Sequence, residues 1–195
     1  MIFCIFGGSN PGNNPRFAEV SKEFISEIAE RGHSFVYGGG SDGIMGLTAT
    51  TALEKHAHVT GIIPQFLMTA ENAKTDIDEL IVTDTLYERL ELMMQKSDVI
   101  VALPGGFGTM QEFFTAITKS QLGRHEKPLV IVNVDGYYNP LISLVRTIMD
   151  EDFAPQENSS LFIEVTSPQE LFEELPNFKP NIGNKFKGRE NPLLK

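Results

Sequence analysis

Short apolar runs alternate with amphipathic stretches along this chain. IFCIF (2–6) is continuous and stops at Gly7-Gly8. From Pro15 to Arg31 the apolar side chains Phe17, Val20, Phe24, Ile25 and Ile28 fall at helical spacing, and Gly32 supplies a stop. The alternation recurs. The runs at 35–37, 59–63, 80–83, 98–103, 128–134 and 161–165 predict strands, the last at an edge. Helical pattern follows to His56, over 85–96, to Leu122, near 139–150 and from Ser167. Residues 65–79 are mixed and predict irregular chain or a short helix. Strands that are apolar on both faces, each followed by a helix, predict a doubly wound, Rossmann-like α/β fold. It is a mostly parallel sheet with helices on both faces, in a single domain.

Length and charge refine this picture. The chain has 195 residues and divides into a domain over 1–175 and a basic C-terminal tail over 176–195. The tail carries Lys179, Lys185, Lys187, Arg189 and Lys195 against Glu190, a net +4, which leaves −14 on the remainder of a chain whose total is −10. That acidic excess argues against a nucleic-acid polymer or an anionic membrane as partner. No apolar run approaches the ~18–20 residues of a membrane span. MIFCIF reads as a strand and not as a signal peptide. Cys4 is the only cysteine, so neither an intrachain disulfide nor a cysteine-based zinc site is expected. Together these features predict a cytoplasmic protein.

Three glycine-rich loops follow strands: GGSN (7–10), GGGSDGIMG (38–46) and PGGFGT (104–109). In an open parallel sheet these loops lie at the carboxyl edge, where ligands bind. Each opens a helix whose N-terminus favours anions. Such glycines can also be plain tight turns. Gly38, Gly40 and Gly43 match G-x-G-x-x-G, but the acid expected about 20 positions on is absent from His56-Ala57-His58-Val59-Thr60, which disfavours NAD. There is no G-x-x-x-x-G-K-[ST] motif, so a P-loop ATPase is excluded. Ser9 lies in no nucleophile elbow. The four histidines are not spaced as metal ligands, and no metal or cofactor is expected.

PGGFGTMQE (104–112) is the segment richest in candidate chemistry. Thr109 and Glu112 have capping-box spacing, as do Thr85 and Glu88, and Ser167 and Glu170. Spacing alone therefore reads Glu112 as a helix cap. The preceding glycines argue instead for a carboxylate beside a bound phosphate-sugar. Arg89 opens a helix at the same sheet edge, where a guanidinium suits bidentate recognition of phosphate or hydroxyls.

PGGFGTMQE resembles the PGGxGTxxE signature of the LOG family, the cytokinin riboside 5′-monophosphate phosphoribohydrolases, whose bacterial members often carry the label of putative lysine decarboxylase. GGSNPG resembles the family's first-strand loop, and VYGGGSDGIMG its VYGGGxxGLMG. TLYERLELM is similar to MHERKxxM, and QLGRHEKPLVIVNVDGYY to QLGxHxKPxxxxNxxGYY. The resemblance covers residues 1–175. It implies hydrolysis of the N-glycosidic bond of a nucleoside 5′-monophosphate, AMP or a cytokinin ribotide, to free base and ribose 5-phosphate. It implies Arg89 and Glu112 as the catalytic pair. It also implies substrate contacts at Ser9, Gly46, Glu71, Gly105, Gly106, Phe107, Gly108, Thr109 and Thr118, no cofactor, and a homodimer or larger homo-oligomer. Leu90 stands where the family has lysine, a departure that bears on substrate preference. The alternative reading is a non-catalytic nucleotide or phosphorylated-pterin carrier of the same fold. A lysine decarboxylase would need a Schiff-base lysine, and of the lysines over 85–135 (Lys96, Lys119, Lys127) none lies in a glycine motif.

Overall fold

The computed structural model describes residues 1–181. Seven parallel strands form one sheet: β1 Ile2–Phe6, β2 Ser34–Tyr37, β3 Val59–Pro64, β4 Glu79–Thr83, β5 Val99–Ala102, β6 Leu129–Val132 and β7 Ile163–Val165. Their order is β4-β3-β2-β1-β5-β6-β7. The first four strands step outward in one direction from β1, and the last three step outward in the other. The order therefore reverses between β1 and β5, which pair in register from Phe3↔Val99 to Phe6↔Ala102. At such a reversal the loops leaving the two strands diverge to opposite faces and open a crevice.

Among the described residues six α-helices cover the sheet: α1 Pro15–Glu30, α2 Gly43–Glu54, α3 Leu86–Gln95, α4 Phe107–Gln121, α5 Asn139–Asp150 and α6 Pro168–Glu174. Successive strand residues point to opposite faces. Phe3, Ile5, Phe35 and Tyr37 pack against Phe24 and Ile28 of α1, Ile44 of α2 and Leu171 of α6. Cys4, Phe6, Val36 and Ile100 pack against Leu90 and Met93 of α3, Phe113 of α4 and Ile142 of α5. This is why the strands read as unbroken apolar runs: both faces are core. All seven strands and the two-sided layering agree with the doubly wound expectation.

Two local features matter to the site: the first differs from the sequence reading, and the second agrees with the irregular chain or short helix expected over 65–79. The capping box expected at Thr109/Glu112 does not form. Helix α4 starts three residues earlier, with Gly106 as its cap, so Thr109 and Glu112 are already inside it. The boxes at Thr85/Glu88 and Ser167/Glu170 do form, with the Glu88 amide 3.1 Å from Thr85 Oγ1 and the Glu170 amide 3.3 Å from Ser167 Oγ. The difference is physical: those hydroxyls meet otherwise unpaired amides, whereas the glycines let α4 begin with none capped by a side chain.

The second feature is the link from β3 to β4. It contains only a 3-10 turn, Gln65–Leu67, and no α-helix. The glycine loop after β2 holds it in place. Gly40 bridges Ala73, the Ser41 amide donates to Asn72 O at 3.0 Å and the Lys74 amide donates to Gly39 O at 2.9 Å. This tether carries Glu71 to the carboxyl edge of the sheet.

Among the described residues no helix is long and apolar enough to cross a membrane. The tail read from the sequence begins in a 3-10 turn at Leu175–Asn177. Its residues 182–195 lie outside the described residues.

Candidate active site

The site grows from three loop–helix junctions at the β1/β5 crevice. The loop after β1 touches the loop after β5 directly, with the Gly8 amide donating to Pro104 O at 3.1 Å. It also touches the start of α2, where the Met45 amide donates to Gly8 O at 3.1 Å. Two clefts adjoin across Gly8, Ser9 and Gly106. One lies towards Asn14 and Tyr137. The other, about 420 Å³, holds Arg89, Glu112, Glu71 and Met45. That volume is within the range of small-molecule sites, roughly 300–1,000 Å³.

Arg89 and Glu112 are buried, at 6% and 8% exposure. Arg89 Nη2 lies 3.5 Å from Glu112 Oε1, and Nη1 lies 3.8 Å from Glu71 Oε2. One guanidinium thus stands between two carboxylates. Burial pushes the Glu112 carboxyl up to about 7; Arg89 opposes the shift and the like charge of Glu71 adds to it. Burial also raises Glu71, again against the pull of Arg89. Arg89 Nε and Glu71 Oε2 are buried and make no hydrogen bond within the protein. Buried polar groups are rarely left so, and their convergence with a raised carboxyl makes this a candidate functional site.

Helix α4 presents its first amides, those of Phe107, Gly108 and Thr109, to the cleft with no side-chain cap. They are ready donors to an anion. The glycines here divide by what surrounds them. A Cβ at Gly105 would meet Thr109 Oγ1 at 2.1 Å, so Gly105 makes room for Thr109. A Cβ at Gly106 or at Gly108 would meet nothing within 4 Å. No packing demand of the protein explains those two glycines, whereas a ligand resting on the backbone would. From the far side, Tyr137 Oη donates to Gly105 O at 2.6 Å and Tyr138 Oη to Leu103 O at 2.7 Å, bracing the loop.

The structure brings most of the expected residues together. Ser9, Glu71, Arg89, Gly106, Phe107, Gly108, Thr109 and Glu112 line the cleft, and Gly105 lines its neighbour. Two of the expected residues stand apart from this cleft. Gly46 is buried and lines neither cleft; a Cβ there would lie 1.8 Å from Ser41 O, so its glycine serves the close approach of that turn to α2. Thr118 lies further along α4 and lines a separate apolar cleft between α4 and α5, with Phe114, Val145 and Met149. Six residues on a helix is about 600° of rotation, which turns Thr118 well away from Glu112. Leu90 is buried in the core against Met93 and Ile100, so position 90 offers this chain no polar contact with a ligand. Sequence reasoning missed Met45, whose Sδ accepts from Arg89 Nη2 at 3.9 Å, and the cleft wall at Leu67 and Leu86. Met45 stands inside GIMG, at the same sheet edge as the other loops, and that position was the available signal.

A family model described as possible lysine decarboxylase matches residues 45–175. A probable cytokinin riboside 5′-monophosphate phosphoribohydrolase from Oryza sativa subsp. japonica is 39% identical over 175 residues, spanning 90% of this chain and 78% of that protein. The chain belongs to the LOG family. Another member, a cytokinin riboside 5′-monophosphate phosphoribohydrolase from Arabidopsis thaliana, is 37% identical over 177 residues, covering 91% of this chain and 78% of the relative. Among solved structures, the Moco carrier protein of Chlamydomonas reinhardtii superposes with a TM-score of 0.66 at 20% identity, covering 91% of this chain and 96% of that one. The molybdenum cofactor binding protein of Rippkaea orientalis gives 0.65 at 21%, with 90% and 94% covered. These likenesses show a shared fold. The lysine decarboxylase description of the family does not fit the site. Lys96 pairs with Glu79, Lys119 with Glu91, and Lys127 Nζ with the carbonyls of Met94 and Ser97, so each is engaged away from the cleft.

Proposed function

We propose that this LOG-family chain hydrolyses the N-glycosidic bond of a nucleoside 5′-monophosphate, releasing the free base and ribose 5-phosphate. The observation that carries this reading is the buried Arg89–Glu112 pair set beside an uncapped, glycine-cradled helix N-terminus. The amides of Phe107, Gly108 and Thr109 hold the 5′-phosphate. That remote contact places the anomeric carbon over Glu112. As the bond to the base breaks, positive charge grows on the sugar, and an ionised Glu112 stabilises it. Arg89 favours the ionised form by proximity. Water adds to the anomeric carbon as its bond to the base nitrogen breaks and gives one proton to Glu112; the base nitrogen takes a proton from solvent and Glu112 returns one to solvent, so one water is consumed and Glu112 is ionised again. Ser9 and Glu71 face the same cleft and hold ribose hydroxyls in this reading.

The finer parts of the proposal concern setting and assembly. We place the activity in the cytoplasm, where the lone buried Cys4 stays reduced. We propose that a second copy of the chain covers the apolar cleft between α4 and α5, beside the exposed Leu122 and Leu144.

The test is incubation with AMP and with an isopentenyladenosine 5′-monophosphate, followed by chromatography. Release of free base by the wild type, and none by Glu112→Ala or Arg89→Ala, is the expected outcome. Tight binding of intact nucleotide would instead support a carrier.

A further inference from the structure

Gly38 directly follows β2 and stands beneath Arg89. A Cβ at this position would lie 1.9 Å from Arg89 Nη2, 2.9 Å from Arg89 Cζ and 2.9 Å from Met45 Sδ. The space that a side chain would need is filled by the guanidinium. Its neighbour differs: Gly39 has φ +80, which favours glycine whatever the space. Gly38 is not among the residues with positive φ, so backbone conformation leaves it free to be alanine. Its requirement for glycine is one of volume, and the volume belongs to the flexible ends of two side chains.

The guanidinium needs such a seat because polar contacts hold it loosely. Its partners stand at 3.5 Å (Glu112), 3.8 Å (Glu71) and 3.9 Å (Met45 Sδ), all longer than a strong charge-assisted hydrogen bond of about 2.8 Å. Arg89 Nε makes no hydrogen bond within the protein. Shape therefore decides where the group lies. We infer that Gly38 is a positioning residue for the reaction proposed above, the absence of its side chain forming the seat that sets the Arg89 guanidinium against Glu112. The sequence pattern suggests a glycine that admits a ligand; the structure puts the protein's own catalytic side chain in that place.

The inference rests on the proposed function for its catalytic consequence, and on geometry alone for its structural one. Glu112 is faced by Arg89 from α3 and by Glu71 from the β3–β4 link; the Cys4 thiol of β1 and the Tyr138 phenol before α5 also feel its charge. Of these only Arg89 is cationic, so displacing it raises the Glu112 carboxyl further.

The test is Gly38→Ala, assayed for base release and melted from pH 5 to pH 8. We expect kcat/KM to fall about 100-fold, the usual scale for a misplacement near 1 Å. The pH limb governed by Glu112 moves upward. The loss of melting temperature between pH 5 and pH 8 becomes larger than in the wild type. In an Arg89→Lys background, whose amine lacks the atoms that meet the new methyl, Gly38→Ala leaves that loss unchanged. Wild-type turnover with an unmoved limb overturns the inference. So does a melting loss that is equal at every pH and the same in both backgrounds, since Gly38 would then serve only the fold. Failure of the wild type to release base would remove the proposed function, and the melting comparison would still judge the role of Gly38.

Discussion

Arg89 Nη2 and Glu112 Oε1 stand 3.5 Å apart in a site where both side chains are almost wholly buried. The cation is close enough to favour the carboxylate, yet burial prevails and Glu112 sits at about 7. Glu112 is thus poised between ionised and neutral at physiological pH, the condition under which a group can both stabilise charge and move a proton.

Removing either partner should end turnover. For Glu112→Ala we expect a drop of at least ~10²–10³-fold in kcat, the scale of losing one preorganised electrostatic group. Arg89→Ala should do as much and should also destabilise the fold by roughly 3–5 kcal/mol, because it leaves a buried carboxylate without its cation. Rates of free-base release and urea unfolding midpoints check both values.

The same pair predicts a trade between stability and activity. Glu112 binds its proton more tightly in the folded chain than in the unfolded chain, whose carboxyl stays near 4.5. Its contribution to stability is therefore fully present below pH 4.5 and falls as pH rises towards about 7. Glu112→Gln, which cannot ionise, should melt higher than the wild type at pH 8, with the gap closing near pH 4. Melting curves across that range decide it, and a gap independent of pH would refute the assignment.

Gly106 offers a probe of the ligand surface. A methyl there meets no protein atom, and the backbone at φ −96, ψ −150 is extended. Gly106→Ala should leave the melting temperature within about 1 °C, as surface changes away from special contacts do. It should raise KM for the nucleotide about tenfold, the mark of lost binding in the ground state.

Tyr137 braces the same loop from behind. Tyr137→Phe deletes the hydrogen bond to Gly105 O and should cost about 1 kcal/mol of stability. KM should rise several-fold with kcat nearly unchanged, because the Gly105 loop that leads into the first, phosphate-binding turn of α4 loosens while Glu112, a turn further along the helix, stays in place. Steady-state kinetics separate the two parameters.

Much of the molecule was legible along the chain. Apolar runs such as 2–6 and 98–103 read correctly as fully covered strands because both their faces pack on helices. Arg89 and Glu112 were found through motif resemblance and a guanidinium at the ligand edge. The role of the Thr109/Glu112 spacing was not legible, since the same interval forms true caps at Thr85 and Ser167. Only the earlier start of α4 at Phe107 tells them apart. Glu71 lies in a stretch without regular periodicity, and it reaches the site because the Gly39–Ser41 backbone ties that stretch down.

By itself the sequence determined the layers of the fold and the edge at which chemistry gathers, because hydrophobic period and glycine placement are local properties of the chain. Tertiary structure decided which glycines face the open cleft and which are required by the protein's own packing. Gly106 and Gly108 open onto the cleft, Gly46 admits a turn and Gly38 seats Arg89. It also decided that Thr118 turns away from the centre and that Glu112 is a buried acid and not a cap. Each of these depends on what lies across space from the residue, and burial and electrostatic proximity arise only when segments distant in the chain pack together.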